Sequence, residues 1–268
     1  MDIMRKPAWG VVCSLTVLTF VGCAEEQPHA PAAVMPAASP AEMSAALVDV
    51  LGGPVDQPDL QAYVTSLGRR LAADSPDPHP TRFVLVRSAR LNAFAAPDGR
   101  VVLCAGLLDA LPRERALAAV LAHEIGHVRA GHVGALLEVH RCELSPARRG
   151  ALQFLERRFT PAQEHQADTI ALHLLSRAGI DPRGLAEALT VLQQHRQRCR
   201  TAALSRPGTH PLTMDRIRRI HRLTVALDPV RLAEPPERTR KRFHAMQRRL
   251  TLWRSSADAL KRRTALRE

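Results

Sequence analysis

The chain has 268 residues, 46% of them hydrophobic, and carries 38 basic against 26 acidic side chains for a formal net charge of +12. That length suits one domain with a sizeable core. Aromatic residues make up 3% of the chain and include one tyrosine, so the basic excess lacks the stacking platforms of a single-strand nucleic-acid binder.

Read from the N-terminus, Arg5 and Lys6 precede a mostly apolar stretch from Trp9 to Val21, too short for a comfortable membrane span. Phe20-Val21-Gly22-Cys23 resembles a bacterial lipobox, with Phe20 standing where leucine is usual. The expectation is a lipoprotein signal peptide over 1–22 and an exported chain lipidated at Cys23. Ala24 favours the outer membrane, facing the periplasm, and export is a second argument against a nucleic-acid partner. Residues 23–40 are rich in Pro and Ala without a hydrophobic period and read as a tether. The main domain is expected over 41–230 and a basic helical extension over 231–268.

Within the domain a helix is expected from Asp59 to Ala73. Arg82 to Val86, Asn92 to Ala95 and Val101 to Leu103 read as short strands. A longer helix starts at Pro112-Arg113-Glu114, with Pro suited to the first helical position and Glu to the first turn. Leu117, Leu121, Ile125 and Val128 form its core stripe. Helical regions follow from about Gly134 to Arg158, from Thr160, from Pro182 to Gln197 and from Met214 to Leu223. No internal repeat is present.

The chemistry concentrates on the long helix. His123-Glu124-Ile125-Gly126-His127 places two histidines four apart, on one helix face and roughly 6 Å apart along the axis. That spacing lets two imidazoles hold one Zn²⁺, with Glu124 beside the first. Ala116, Ala119 and Ala130 share their face, leaving room for a metal and a second helix. Thr160-Pro161-Ala162-Gln163 reads as a capped helix start with a capping box. Glu164 and Asp168 follow it four apart, at the edge of an apolar stripe with Ala167, Ala171, Leu174 and Leu175. Carboxylates turned towards a buried face are costly unless paired or metal-bound. Glu164 is therefore the candidate third ligand. Asp168 is the candidate to accept a hydrogen bond from a ligand imidazole and set its tautomer. His165 and His173 project to other sides. His132, five residues after His127, reads as a surface or packing histidine rather than a fourth ligand.

These segments together resemble the M48 (Ste24/HtpX-like) zinc metallopeptidases. The match runs over Asn92-Ala93-Phe94-Ala95-Ala96-Pro97-Asp98-Gly99, Gly106-Leu107-Leu108-Asp109, Leu117 to His127, Glu164-His165-Gln166-Ala167-Asp168 and Thr209-His210-Pro211. The resemblance implies zinc, one ion per chain, on His123, His127 and Glu164, with Glu124 as general base. It also implies a role for His210, either stabilising the oxyanion or occupying the metal's open position. The implied fold is α+β and helix-dominated, zincin-like, with a small β-sheet beside the helix that carries the motif. In such peptidases a strand before that helix pairs with the substrate backbone, and Asn92 to Ala95 is the candidate edge.

The expected function is that of a zinc metalloendopeptidase. Its substrates would be proteins or peptides of the envelope, cleaved in a quality-control role and reached from the membrane through the lipid at Cys23. The alternative is a non-proteolytic, zinc-bound, chaperone-like assembly factor; an intact Glu124 argues against it, because a scaffold needs only the ligands. After Pro236 a run of Arg and Lys with Phe243, Met246, Leu250 and Trp253 interleaved reads as a basic amphipathic helix packed by its apolar stripe. Among Cys104, Cys142 and Cys199 the expected bridge is Cys142–Cys199; their spacing is not a zinc pattern. Substrate preference and oligomeric state are not encoded in any motif.

Overall fold

A computed structural model describes residues 38–73, 82–133, 146–156, 158–199, 210, 214–225 and 236–265. The signal segment, Cys23, Cys142 and the neighbours Thr209 and Pro211 of His210 lie outside the described residues. In chain order the elements are α1 (Pro40–Val50), α2 (Pro58–Ala72), β1 (Phe83–Val86), β2 (Ala93–Ala95) and β3 (Val101–Cys104). Then come α3 (Ala105–Ala110), α4 (Glu114–Arg129), α5 (Pro146–Glu156), α6 (Pro161–Arg177), α7 (Gly184–Cys199), α8 (Met214–Val225) and α9 (Glu237–Ala265). The class is α+β and helix-dominated. Among the described residues no helix is long and apolar enough to cross a membrane.

The sheet is mixed, in the order β1-β3-β2. β1 runs parallel to β3, with Phe83 opposite Val101, and β2 runs antiparallel to it, with Phe94 opposite Val102. β2 is thus an outer strand, and it packs against α4. Asn92 O accepts from Cys104 N and Ala96 N donates to Arg100 O. Antiparallel pairing alternates, so the Ala95 amide and carbonyl turn to the open side of the sheet.

α4 is the central helix. Every residue from Arg115 to His127 is buried, because α2, α6, α7 and β2 cover it on several sides. Alanines at 116, 118, 119 and 122 keep it thin enough for that company. α6 passes close to Gly126, where an added Cβ would lie 2.7 Å from the Ala167 carbonyl oxygen. Arg115 is buried on α4 and ion-paired with Asp181 and Glu187, tying the start of the helix to the α6–α7 turn and to α7.

Two helices escaped the sequence reading. α1 begins inside the Pro/Ala-rich stretch, where Ser39 and Glu42 form a capping box; its Leu47 and Val48 cover one face of the sheet with Phe94 and Val102. α3 is a short run directly after β3. α9 packs on the domain through Phe243 and Leu250, both part of the main core. Arg249 pairs with Asp59 and Arg254 with Asp109, so part of its basic face is spent on intramolecular contacts. Cys104 is buried as a free thiol.

Candidate metal centre

Three elements build the site. α4 presents His123 and His127 one turn apart, α6 presents Glu164 in its first turn, and His210 comes in from the segment before α8. The capping box predicted at Thr160 and Gln163 is present and places Glu164 at the positive end of the α6 dipole, which favours its carboxylate. One ligand atom from each of His123, His127, Glu164 and His210 lies within 4.8 Å of the others.

The separations match a shared ion. His123 Nε2 is 3.1 Å from His127 Nε2 and 3.3 Å from His210 Nδ1. His210 Nδ1 is 2.7 Å from Glu164 Oε1, and His127 Nε2 is 3.5 Å from the same oxygen. A tetrahedron with metal–ligand bonds of about 2.0–2.1 Å has edges of about 3.3 Å. Imidazole nitrogens and a carboxylate are also the donor types that a divalent ion of zinc's character takes. Glu124, 2% exposed, sits beside this cluster, and its Oε2 is buried without a hydrogen-bond partner among the described residues. A buried carboxylate oxygen left so is costly unless substrate or water meets it.

Asp168 lies beside His123. Its Oδ1 lies 3.0 Å from His123 Nδ1, so that nitrogen donates and Nε2 keeps its lone pair for the cluster. Burial and the Arg216 charge work against protonation of His123, but the hydrogen bonds that Asp168 and Glu164 accept from it prevail and push its pKa up to about 9. His127 goes the other way, held far below the usual range by burial and by its imidazole neighbours. Burial opposes ionisation of Glu164 and Asp168, yet the surrounding cations and donors hold both well below the ordinary carboxylate range.

Arg216 was not foreseen. From α8 its Nε donates to Asp168 Oδ2 at 2.8 Å and its Nη2 to Asp168 Oδ1 at 2.7 Å, while Nη1 pairs with Glu164. Its signal in the sequence is an arginine on an apolar stripe, since Arg216, Ile220 and Thr224 share one helix face and all are buried. Phe159 was also missed; its ring stacks on His127 with centroids 3.8 Å apart. His132 proves to be buried, with Nδ1 3.0 Å from His127 Nδ1.

A helix-borne pair of histidines, a glutamate from a second helix and a further buried glutamate beside them define the residue set of a mononuclear metal hydrolase. A family model described as "Peptidase family M48" matches residues 56–147 and 142–224, most of the described domain. The chain belongs to peptidase family M48. It is 32% identical over 189 residues to the beta-barrel assembly-enhancing protease of Escherichia coli K12, covering 61% of this chain and 38% of that protein. It is 29% identical over 139 residues to metalloprotease LoiP of the same organism, covering 44% of this chain and 55% of the relative. With the mitochondrial metalloendopeptidase OMA1 of Arabidopsis thaliana it shares 33% identity over 112 residues, 37% of this chain and 23% of the relative. The chain thus spans well under half the length of the beta-barrel assembly-enhancing proteases it resembles.

Proposed function

We propose that the chain is a zinc metalloendopeptidase that hydrolyses peptide bonds of proteins of the bacterial envelope. The observation that carries this is the four-donor cluster with the buried Glu124 carboxylate beside it, whose Oε2 has no hydrogen-bond partner among the described residues. His123, His127 and Glu164 hold the ion, and Asp168 fixes the His123 ring. Zinc, when bound, supplies the Lewis acidity that activates a water molecule and polarises the scissile carbonyl. Glu124 accepts the proton of the attacking water and delivers it to the leaving amine. Glu124 Oε2, without a hydrogen-bond partner among the described residues, suits the carboxylate to that shuttle, while Oε1 lies 3.4 Å from His210 Nε2. An extended substrate adds to the open side of β2, where the Ala95 backbone groups point.

Of the two roles open to His210, occupation of the remaining coordination position is the better supported, because Nδ1 lies within the donor cluster. The names of the relatives, a beta-barrel assembly-enhancing protease among them, support envelope proteins as substrates and a quality-control role. The lipobox-like segment supports export and a lipid anchor at Cys23, testable by metabolic labelling with a fatty acid that Cys23→Ala abolishes.

The test is hydrolysis of an unstructured protein by the full chain. Chelator should abolish cleavage. Glu124→Gln should abolish it while zinc stays bound, and Glu164→Ala should lose the zinc. Zinc retained by wild type without turnover of any unfolded substrate would leave the assembly-factor reading in its place.

A further inference from the structure

His132 has no part in the donor cluster, yet it is 6% exposed and packed against it. The end of α4 explains why. Gly131 has φ +68, a left-handed conformation that glycine adopts without cost. Gly131 N then donates to Val128 O and His132 N to His127 O, both at 3.1 Å. This is the paired arrangement that closes many helices at a glycine. Its consequence here is local: the chain turns back, and the His132 ring comes to lie against His127, with centroids 5.0 Å apart.

The contact between the rings is specific. His127 turns Nε2 to the donor cluster and Nδ1 to His132 Nδ1, at 3.0 Å. A nitrogen that binds a metal must present a lone pair, so the His127 proton belongs on Nδ1 and is donated to His132. His132 Nδ1 is then the acceptor, and its proton sits on Nε2. There Gln166 Oε1 accepts it, 3.1 Å away on α6. Each proton has one consistent place along this line from Gln166 through His132 to His127. Phe159 covers the other side of the His127 ring and bonds to none of its nitrogens. The two histidines of the motif are therefore oriented by different means, His123 by the carboxylate of Asp168 and His127 by a neutral imidazole.

We propose that His132 is a positioning residue of the metal centre, accepting the His127 Nδ1 proton and so holding His127 Nε2 towards the ion. The proposal rests on the metal reading above. Outer partners of this kind affect metal affinity by roughly 10–100-fold.

Asparagine and leucine are nearly equal in size, and only asparagine carries an acceptor oxygen, on the same branch point as His132 Nδ1. The experiment compares His132→Asn with His132→Leu, and with His132→Phe as a second variant that keeps a ring but no acceptor. Zinc dissociation constants of the full chain are measured by competition with a chromophoric chelator. The unfolding free energy of each metal-free variant and the visible spectrum of each cobalt-loaded one are measured beside them. The Leu and Phe variants should bind zinc at least about tenfold more weakly and shift the cobalt bands, and the Asn variant should stay within about threefold of wild type. Zinc affinity unchanged in the Leu and Phe variants would overturn the proposal. So would equal losses in Asn and Leu that track their metal-free stability, because that is the mark of packing alone. A wild type that takes up no zinc removes the metal reading itself, and this proposal with it.

Discussion

Gly126→Ala sets a general rule against a local contact. Alanine is favoured over glycine in a helix interior by about 1 kcal/mol, so by propensity alone the substitution stabilises α4. The structure reverses that sign. The new methyl would stand 2.7 Å from Ala167 O and 3.0 Å from Ala167 Cα. Both are backbone atoms of α6, so no change of rotamer makes room. Ordinary contact begins near 3.4 Å, so the two helices must part by roughly 0.7 Å at this point. Overpacking of this kind costs about 1–3 kcal/mol, which cancels the propensity gain or exceeds it by up to about 2 kcal/mol. The displacement also has a direction: α4 carries His123 and His127, α6 carries Glu164 and Asp168, and metal sites tolerate errors of only about 0.2 Å in ligand distance. Urea unfolding of the metal-free protein should show Gly126→Ala no more stable than wild type and up to about 2 kcal/mol less so. Chelator competition should show zinc binding weakened at least about tenfold. A variant about 1 kcal/mol more stable than wild type, with zinc affinity unchanged, would refute the steric reasoning.

Arg216→Met strips Asp168 and Glu164 of their shared cation and should lower the unfolding free energy by about 3–5 kcal/mol in urea titration; Arg216→Lys should recover only part, because an ammonium cannot chelate both Asp168 oxygens. Asp98 is held below the usual carboxylate range; burial opposes this, but bonds from Arg100 and Ser44 prevail. Its contribution is therefore complete above the unfolded-state value of about 3.9 and lost as pH falls through the folded one. The stability gap between wild type and Asp98→Asn should be present at neutral pH and close in acid, and a gap independent of pH would count against this assignment. Leu250→Ala removes a side chain with 0% exposure that docks α9. It should cost about 2–5 kcal/mol and speed proteolysis within α9; a loss below about 0.5 kcal/mol would mean that the docking contributes little.

The candidate site was legible where chemistry follows local geometry. Residues four apart on a helix share a face in any fold, so His123 with His127 and Glu164 with Asp168 could be paired from spacing. The capping box at Thr160 and Gln163 is likewise a short-range device, and it places Glu164 at a helix start. The corresponding signal at Ser39 and Glu42 was just as readable, but the Pro/Ala composition around it obscured it. His210 entered through family resemblance, because no periodicity marks a loop histidine as part of a metal cluster.

What the chain encodes locally is a set of faces: which side of α4 carries imidazoles, which side of α6 carries carboxylates, and where each helix begins. Which faces meet is a matter of packing between segments far apart in sequence. Gly126 reads only as a helix weakness until the Ala167 backbone is seen against it. Arg216 reads as one more basic residue in a basic chain until α8 delivers it between Glu164 and Asp168. His132 reads as a surface or packing histidine until Gly131 turns it back onto His127. In each case the deciding interaction is a single contact across elements, which no periodicity records, and its strength comes from the burial that the assembled core provides.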